Sequence, residues 1–354
     1  MLKLIITSFH IIFFIAVSFT QAPISFFCPP CNSTCDQQVF TKAGKCTHCD
    51  MDLITSNQLA NYMKQENKTI AFYLQSGVEI LDFAGPMEVF AYAGYEVFTV
   101  SKTKDPIITQ GIMKVIPDYS IEDAPKADIL AFFGGNSSAA YKDKAVINWV
   151  KSQQGIEYYF SVCTGAFILA ESGILDNKTA TTFHNALDGL ENNYPKVNVL
   201  KNVRFVDNGE VITTAGISAG IDGALHLVAK LKGFDVARKT AYYMEYDKWI
   251  PGEGLILAED NPYTNLITAV ALEEYKGNYE FKDGLKLQLE INEREKALEA
   301  VIDERTFPLF YVEKDKFLDV TDNEVTFQRD ESGQISGYKI SETEDTVYQK
   351  LSNK

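Results

Sequence analysis

Gly155-Ile-Glu-Tyr-Tyr-Phe-Ser-Val-Cys163-Thr-Gly-Ala-Phe-Ile-Leu-Ala170 reads as an apolar run, a break of small residues and a second apolar run. The first run suits a buried strand and the second a helix, so Cys163 falls at an abrupt strand-to-helix turn. Such a turn lifts one side chain to the carboxyl edge of a parallel sheet and sets it at the positive end of a helix dipole. The dipole and the unpaired N–H groups favour a thiolate, so Cys163 is expected to ionise easily. Ser161-Val-Cys-Thr-Gly165 is the cysteine counterpart of the nucleophile elbow of serine hydrolases. The competing fate of a lone thiol is burial as a small hydrophobe.

The same alternation continues on both sides. Ile70–Gln75 reads as a strand, and Gly77–Phe90 leads from it into a helix. Asp128–Phe133 is a further strand, closing on Gly134-Gly135-Asn136, where two glycines let backbone N–H groups approach a ligand. Val203–Thr213 alternates around Asn208-Gly209, a hairpin signal, and Gly216–Ala229 is a glycine-punctuated apolar helix. Buried strands separated by helices imply an α/β fold with a doubly wound, mostly parallel sheet.

Leu81-Asp-Phe-Ala-Gly-Pro86, Phe133-Gly-Gly135, Ser161-Val-Cys-Thr-Gly165, Ala180-Thr-Thr-Phe-His184 and Thr214-Ala-Gly-Ile-Ser-Ala-Gly-Ile-Asp222 occur in that order. With these motifs residues 68–250 resemble the ThiJ/PfpI family of the class I glutamine-amidotransferase-like superfamily. The branch they resemble holds isonitrile hydratases and the sensor domains of some AraC-type regulators. The resemblance implies Cys163 as nucleophile, Asp82 as the acid that exchanges a proton with sulfur, substrate or water, and usually a homodimer. It also implies an oxyanion-type pocket from the N–H groups of Gly134, Gly135 and Thr164. Asp82 would alternatively serve as a helix N-cap, with Pro86 in the first turn. His184 is a candidate base, but Phe183 holds the place where the hydratase pattern has its histidine, and one residue along a strand reverses the face. His226, on an apolar helix, reads as a hydrogen-bonded structural histidine.

The ends of the chain carry different signals. Met1-Leu-Lys-Leu begins with one positive charge, Leu4–Val17 is almost wholly apolar, and Ser18–Ala22 is small and polar. Residues 1–20 fit a secretory signal peptide better than an uncleaved anchor, so the protein is expected to be exported to the periplasm or outside. Residues 24–55 hold five of the six cysteines, among them Cys28-Pro-Pro-Cys31 and Cys46-Thr-His-Cys49. Two CxxC knuckles suit one structural zinc on Cys28, Cys31, Cys46 and Cys49, with Cys35 and His48 as further candidates. Disulfides are the alternative that an oxidising compartment suggests. The segment resembles short metal-binding ribbons ending in Gly-Lys-Cys-x-x-Cys-x-Met.

Residues 56–67 read as a linker, 251–270 as a connector and 271–354 as a small β-rich accessory domain. Strands are expected at 278–281, 285–291, 307–312, 325–329 and 335–340. This part weakly resembles the β domains appended to some bacterial serine hydrolases. Over the 354 residues the net charge is −15, which argues against a nucleic-acid partner. Asn32, Asn67, Asn136 and Asn177 lie in glycosylation sequons, and a glycan on Asn136 would crowd the double glycine, in keeping with a bacterial source. Two functional classes follow. One is an exported cysteine-dependent enzyme acting on a small electrophilic substrate, most concretely an isonitrile-hydratase-like hydro-lyase, with no cofactor in the α/β domain and no membrane partner. The other is a non-enzymatic stress, redox-sensing or ligand-binding protein.

Overall fold

A computed structural model describes residues 25–29, 35, 38–49, 51–56, 59, 68–264, 269–294, 297–340 and 346–351. The proposed signal peptide, Cys31 and most of the linker lie outside the described residues. The chain divides into two compact units, residues 1–66 and 67–354.

In the first unit, Phe26–Phe27 pairs antiparallel with Val39–Phe40 on one side and Ile54–Thr55 on the other. A bridge between Lys45 and Asp52 closes the Cys46–Cys49 turn, with Cys46 N–H donating to the Met51 carbonyl at 2.8 Å. Phe40, Met51 and Leu53 pack against the buried cysteines.

The second unit begins with the α/β domain. Its sheet strands are β1 (Thr69–Tyr73), β2 (Glu96–Ser101), β3 (Tyr119–Ser120), β4 (Ile129–Phe132), β5 (Tyr158–Ser161), β6 (Phe205–Asp207), β7 (Val211–Thr214) and β8 (Leu255–Ile256). They lie in the order β8-β6-β7-β5-β4-β1-β2-β3, and every pairing is parallel except the β6–β7 hairpin. Strand alternation builds two cores. Ile70, Phe72, Ile129, Ala131 and Phe160 face one side, covered by helices α1 (Ile80–Tyr92), α4 (Ala219–Lys232) and α5 (Phe234–Tyr243). Ala71, Tyr73, Leu130 and Phe132 face the other, covered by α2 (Lys144–Ser152) and α3 (Ala166–Glu171). The doubly wound α/β sandwich expected from the sequence is therefore the fold. Four neighbouring strands, β7, β5, β4 and β1, deliver Ile217, Cys163, Gly134 and Asp82 to one carboxyl edge, where such folds bind ligands.

After the connector the chain forms an eight-stranded antiparallel meander. Its strands are β9 (Gly277–Glu280), β10 (Lys286–Asn292), β11 (Ala297–Ile302), β12 (Arg305–Glu313), β13 (Lys316–Leu318), β14 (Glu324–Arg329), β15 (Ile335–Ile340) and β16 (Tyr348–Gln349). A bridge between Tyr279 and Lys350 and a hydrogen bond from Leu351 N–H to the Asn278 carbonyl at 2.7 Å join first strand to last. The meander thus closes into a near-barrel. It docks on α5: the buried Arg238 guanidinium donates to the Leu309 carbonyl at 2.6 Å and lies over the Phe310 ring. Among the described residues no helix is long and apolar enough to cross a membrane.

Candidate functional site

Cys163 has φ 57°, the left-handed region that a side chain enters only when its surroundings force it. Three contacts do so. Its N–H donates to the Ala215 carbonyl at 2.9 Å, the Val162 N–H donates to Phe132 at 2.9 Å, and the Thr182 hydroxyl donates to the Cys163 carbonyl at 2.6 Å. Thr182, within the Ala180–His184 motif, therefore pins the elbow. The thiol is 6% exposed.

Asp82 is fully buried and lies inside helix α1, whose N-cap is Glu79, so it is not the helix cap that the sequence offered as an alternative. Its two carboxylate oxygens instead accept N–H groups from distant loops: Gly134 to Oδ2 at 2.9 Å and Ile217 to Oδ1 at 3.0 Å. Despite those donors, burial raises the carboxyl from its ordinary 3.8 to about 6. A side-chain hydrogen bond links it to Cys163. The thiol in turn is pushed up to about 12, first by burial and then by the Asp82 charge. The expectation of an easily ionised cysteine is thus reversed, because burial, and after it the neighbouring carboxylate, outweighs the backbone donors. At neutral pH the pair is a protonated thiol against a carboxylate.

The three proposed backbone donors divide. Gly134 N–H is occupied by Asp82, which removes it from the oxyanion pocket. Gly135 and Thr164 N–H groups both bond to the Cys163 sulfur, so they stabilise negative charge on that atom. A Cβ on Gly134 would lie 2.7 Å from Asp82 Oδ2, Cys163 Cβ and Cys163 Sγ. Gly135, at φ 77°, would drive a Cβ into the Gly77 carbonyl. Gln75 holds this loop in place, donating to the Phe133 and Gly134 carbonyls at 3.0 Å each.

His184 starts a short 3-10 turn rather than continuing a strand, and it is exposed. Its ring lies 4.2 Å from that of Phe183, and no hydrogen bond joins it to Cys163 or Asp82 among the described residues. The residue before it, Phe183, packs against the core and covers Gly216. His226 is buried between Asp207 (2.9 Å) and the Tyr263 hydroxyl (3.2 Å), stacked on Phe205, as a structural histidine would be. Ile217 was not foreseen. Its φ of 56° is strained for a β-branched residue, and that conformation aims its N–H at Asp82. The Gly216-Ile-Ser218 turn in the Thr214–Asp222 motif was the available signal.

These features coincide with what the chain is similar to. The DJ-1/PfpI family model matches residues 68–230. An isonitrile hydratase from Pseudomonas putida is 33% identical over 180 residues, covering 50% of this chain and 78% of that protein. The chain belongs to the DJ-1/PfpI family. The HTH-type transcriptional regulator CdhR of Pseudomonas aeruginosa is 28% identical over 174 residues, covering 47% of this chain and only 51% of the regulator. A solved ThiJ/PfpI family protein from Pseudomonas syringae aligns with TM-score 0.49 and 27% identity, over 52% of this chain and 77% of its own.

In the N-terminal unit, the sulfurs of Cys28, Cys35, Cys46 and Cys49 all lie within 4.8 Å of one another. Cys28 is 3.2 Å from Cys49, and Cys35 is 3.8 and 3.9 Å from those two. The edge of a tetrahedron with zinc–sulfur bonds near 2.3 Å is about 3.8 Å, so the set fits a tetrahedral thiophilic ion. Among the described residues the fourth cysteine is Cys35; Cys31, which the spacing suggested, lies outside them, and the exposed His48 is not in the cluster. The Cys46 thiol is lowered to about 6 by the N–H groups of Cys49 and His48, which favours the thiolate a metal needs.

Proposed function

We propose that the α/β domain is a cysteine-dependent enzyme that hydrates a small electrophilic substrate, most concretely an isonitrile. The observation that carries this is the buried Asp82, locked by two backbone donors and hydrogen-bonded to a strained Cys163. A carboxyl that titrates at about 6 is a base matched to neutral pH. As the sulfur bonds to the isonitrile carbon, Asp82 takes the thiol proton and delivers it to that carbon, giving a thioimidate. Gly135 and Thr164 N–H groups hold the charge that builds on sulfur. Water then adds to the same carbon: Asp82 takes one of its protons and gives it to the nitrogen, then passes the remaining hydroxyl proton to the sulfur as the carbon–oxygen double bond forms. Cleavage of the carbon–sulfur bond returns the thiol and releases the N-substituted formamide, so one water is consumed per turnover. His184 has no step in this scheme.

The raised thiol weighs against the redox-sensing alternative, since oxidant sensors depend on thiolate. A β-barrel after the α/β domain and a net charge of −15 weigh against DNA binding. We retain a homodimer and export as parts of the proposal, to be read from light scattering and from the mass of the secreted chain. Cys28, Cys35, Cys46 and Cys49 would hold one structural zinc, with no position left for a water.

The test is product formation. Purified protein incubated with a panel of small alkyl and aryl isonitriles should form the matching formamides. Turnover of glyoxals or amides, with isonitriles untouched, would replace the assignment of substrate.

A further inference from the structure

The C-terminal barrel carries a half-open cavity of about 440 Å³, lined by residues between Phe281 and Ile340 and by none of those around Cys163. Its origin is legible in the register. Leu287 faces Ile302, Leu289 faces Ala300, and Ala300 faces Phe307, so three adjacent strands turn one apolar face inward. Ala300 stands at the middle of that wall, and its small side chain leaves the space that Leu289 and Phe307 do not fill. Lys286, Gln288 and Glu290 alternate outward on the same strand. One end of the barrel is packed with aromatics: Tyr275, Phe317 and Phe327 have ring centroids 4.8 to 5.5 Å apart. The opposite end carries the exposed Asp303 and Arg305 beside the half-buried Ile302.

The chemistry of the wall selects the ligand. Tyr338 donates its hydroxyl to the Glu280 carbonyl at 3.0 Å, and the Asp319 carboxylate is taken up by Thr321 and Asn323. Apart from Asp303, Arg305, Asp319 and Thr321, the wall is aliphatic and aromatic, so most of a guest's surface would meet carbon. Eight strands make a barrel just wide enough to hold one small ligand, and the volume lies within the range of small-molecule sites.

We propose that the barrel is a second ligand site, taking one small, largely apolar molecule into its interior with any polar end at the Asp303–Arg305 rim. The proposal stands whether or not Cys163 acts on isonitriles. The probe is N-phenyl-1-naphthylamine, titrated into the full chain and followed by its fluorescence. Wild type should give a saturable rise at one site per chain. Ala300→Phe, which puts a ring into the middle of the space, should weaken binding at least tenfold. Ile302→Asp, which sets a short carboxylate at the apolar mouth, should do the same. Val301→Asp, on the other face of the same strand, should bind as wild type. Near-UV dichroism reports whether each barrel is folded, and Ile302→Asp decides the matter if Ala300→Phe is not. No saturable signal with wild type overturns the proposal. So does binding within twofold of wild type in a folded Ala300→Phe or Ile302→Asp protein, which would place the probe elsewhere.

Discussion

Replacing Asp82 by asparagine separates chemistry from stability. The carboxyl rises from 3.8 to about 6 on folding. Because the folded value is the higher one, this group favours the folded state fully below about pH 4. That contribution is lost as pH rises through about 6, amounting to about 3 kcal/mol at neutral pH. Asparagine removes the buried charge but offers one carbonyl oxygen to the two donors, Gly134 and Ile217 N–H. Its amide N–H₂ then opposes one of them, at a cost of about 1–3 kcal/mol. The two effects nearly cancel at pH 7, so urea unfolding there should change little. At pH 4 Asp82→Asn should be the less stable protein. Loss of a positioned base should cut kcat/KM about a hundredfold to ten-thousandfold. Wild-type kcat/KM should climb through about pH 6, and the variant should lack that limb. Removing the carboxylate also relieves the thiol, which Asp82 helps hold near 12, so iodoacetamide should alkylate Cys163 faster at pH 8 in the variant. Slower turnover with faster alkylation is the signature of the pair. Equal modest losses in rate and stability, or slower alkylation, would refute the reasoning.

Gly134→Ala should lower turnover at least a hundredfold, because its Cβ would sit 2.7 Å from Asp82 Oδ2 and Cys163 Sγ, with unfolding weakened by about 1–3 kcal/mol. A rate near wild type would show that the acid and thiol need not touch. Elemental analysis of protein purified under reducing conditions should find one zinc per chain. Cys35→Ser should abolish it and Cys31→Ser should not. The reverse pattern would restore the two CxxC knuckles as the ligand set, and paired disulfides in the intact mass would reject the metal.

The legible features were those encoded locally. The elbow at Cys163, the glycines at 134 and 135 and the buried strands 70–75 and 128–133 each announce themselves within a few residues. What they do to one another was not legible, because it depends on contacts across the sheet. Gly134 lies fifty-two residues from Asp82 in sequence, and nothing near it says that its N–H is spent on that carboxylate. The thiol's raised pKa follows first from burial and then from the Asp82 charge, both set by packing across the sheet. Ile217 is hidden for a different reason: a β-branched residue gives no sign that the fold will force it to positive φ. Thr179–Ala180 is a strand, yet the chain turns into a 3-10 helix at His184, and strand periodicity ceases to apply. In the barrel, Ala297–Ile302 was missed because Ala-Leu-Glu-Ala has helical composition, and only its pairing with two neighbours makes it a strand. Cys35 joins the described cluster although the two-residue spacing points to Cys31, which lies outside the described residues.

In the proposed reaction the Cys163 sulfur is the atom that bonds to substrate. Formamide production from an isonitrile should therefore be measured for wild type and Cys163→Ala side by side, with matched melting curves. The thiol is small and slightly exposed, so its removal should leave the fold intact. Wild type should turn over, and Cys163→Ala should form no product above the uncatalysed rate. A folded Cys163→Ala protein that makes formamide as fast as wild type would contradict the account.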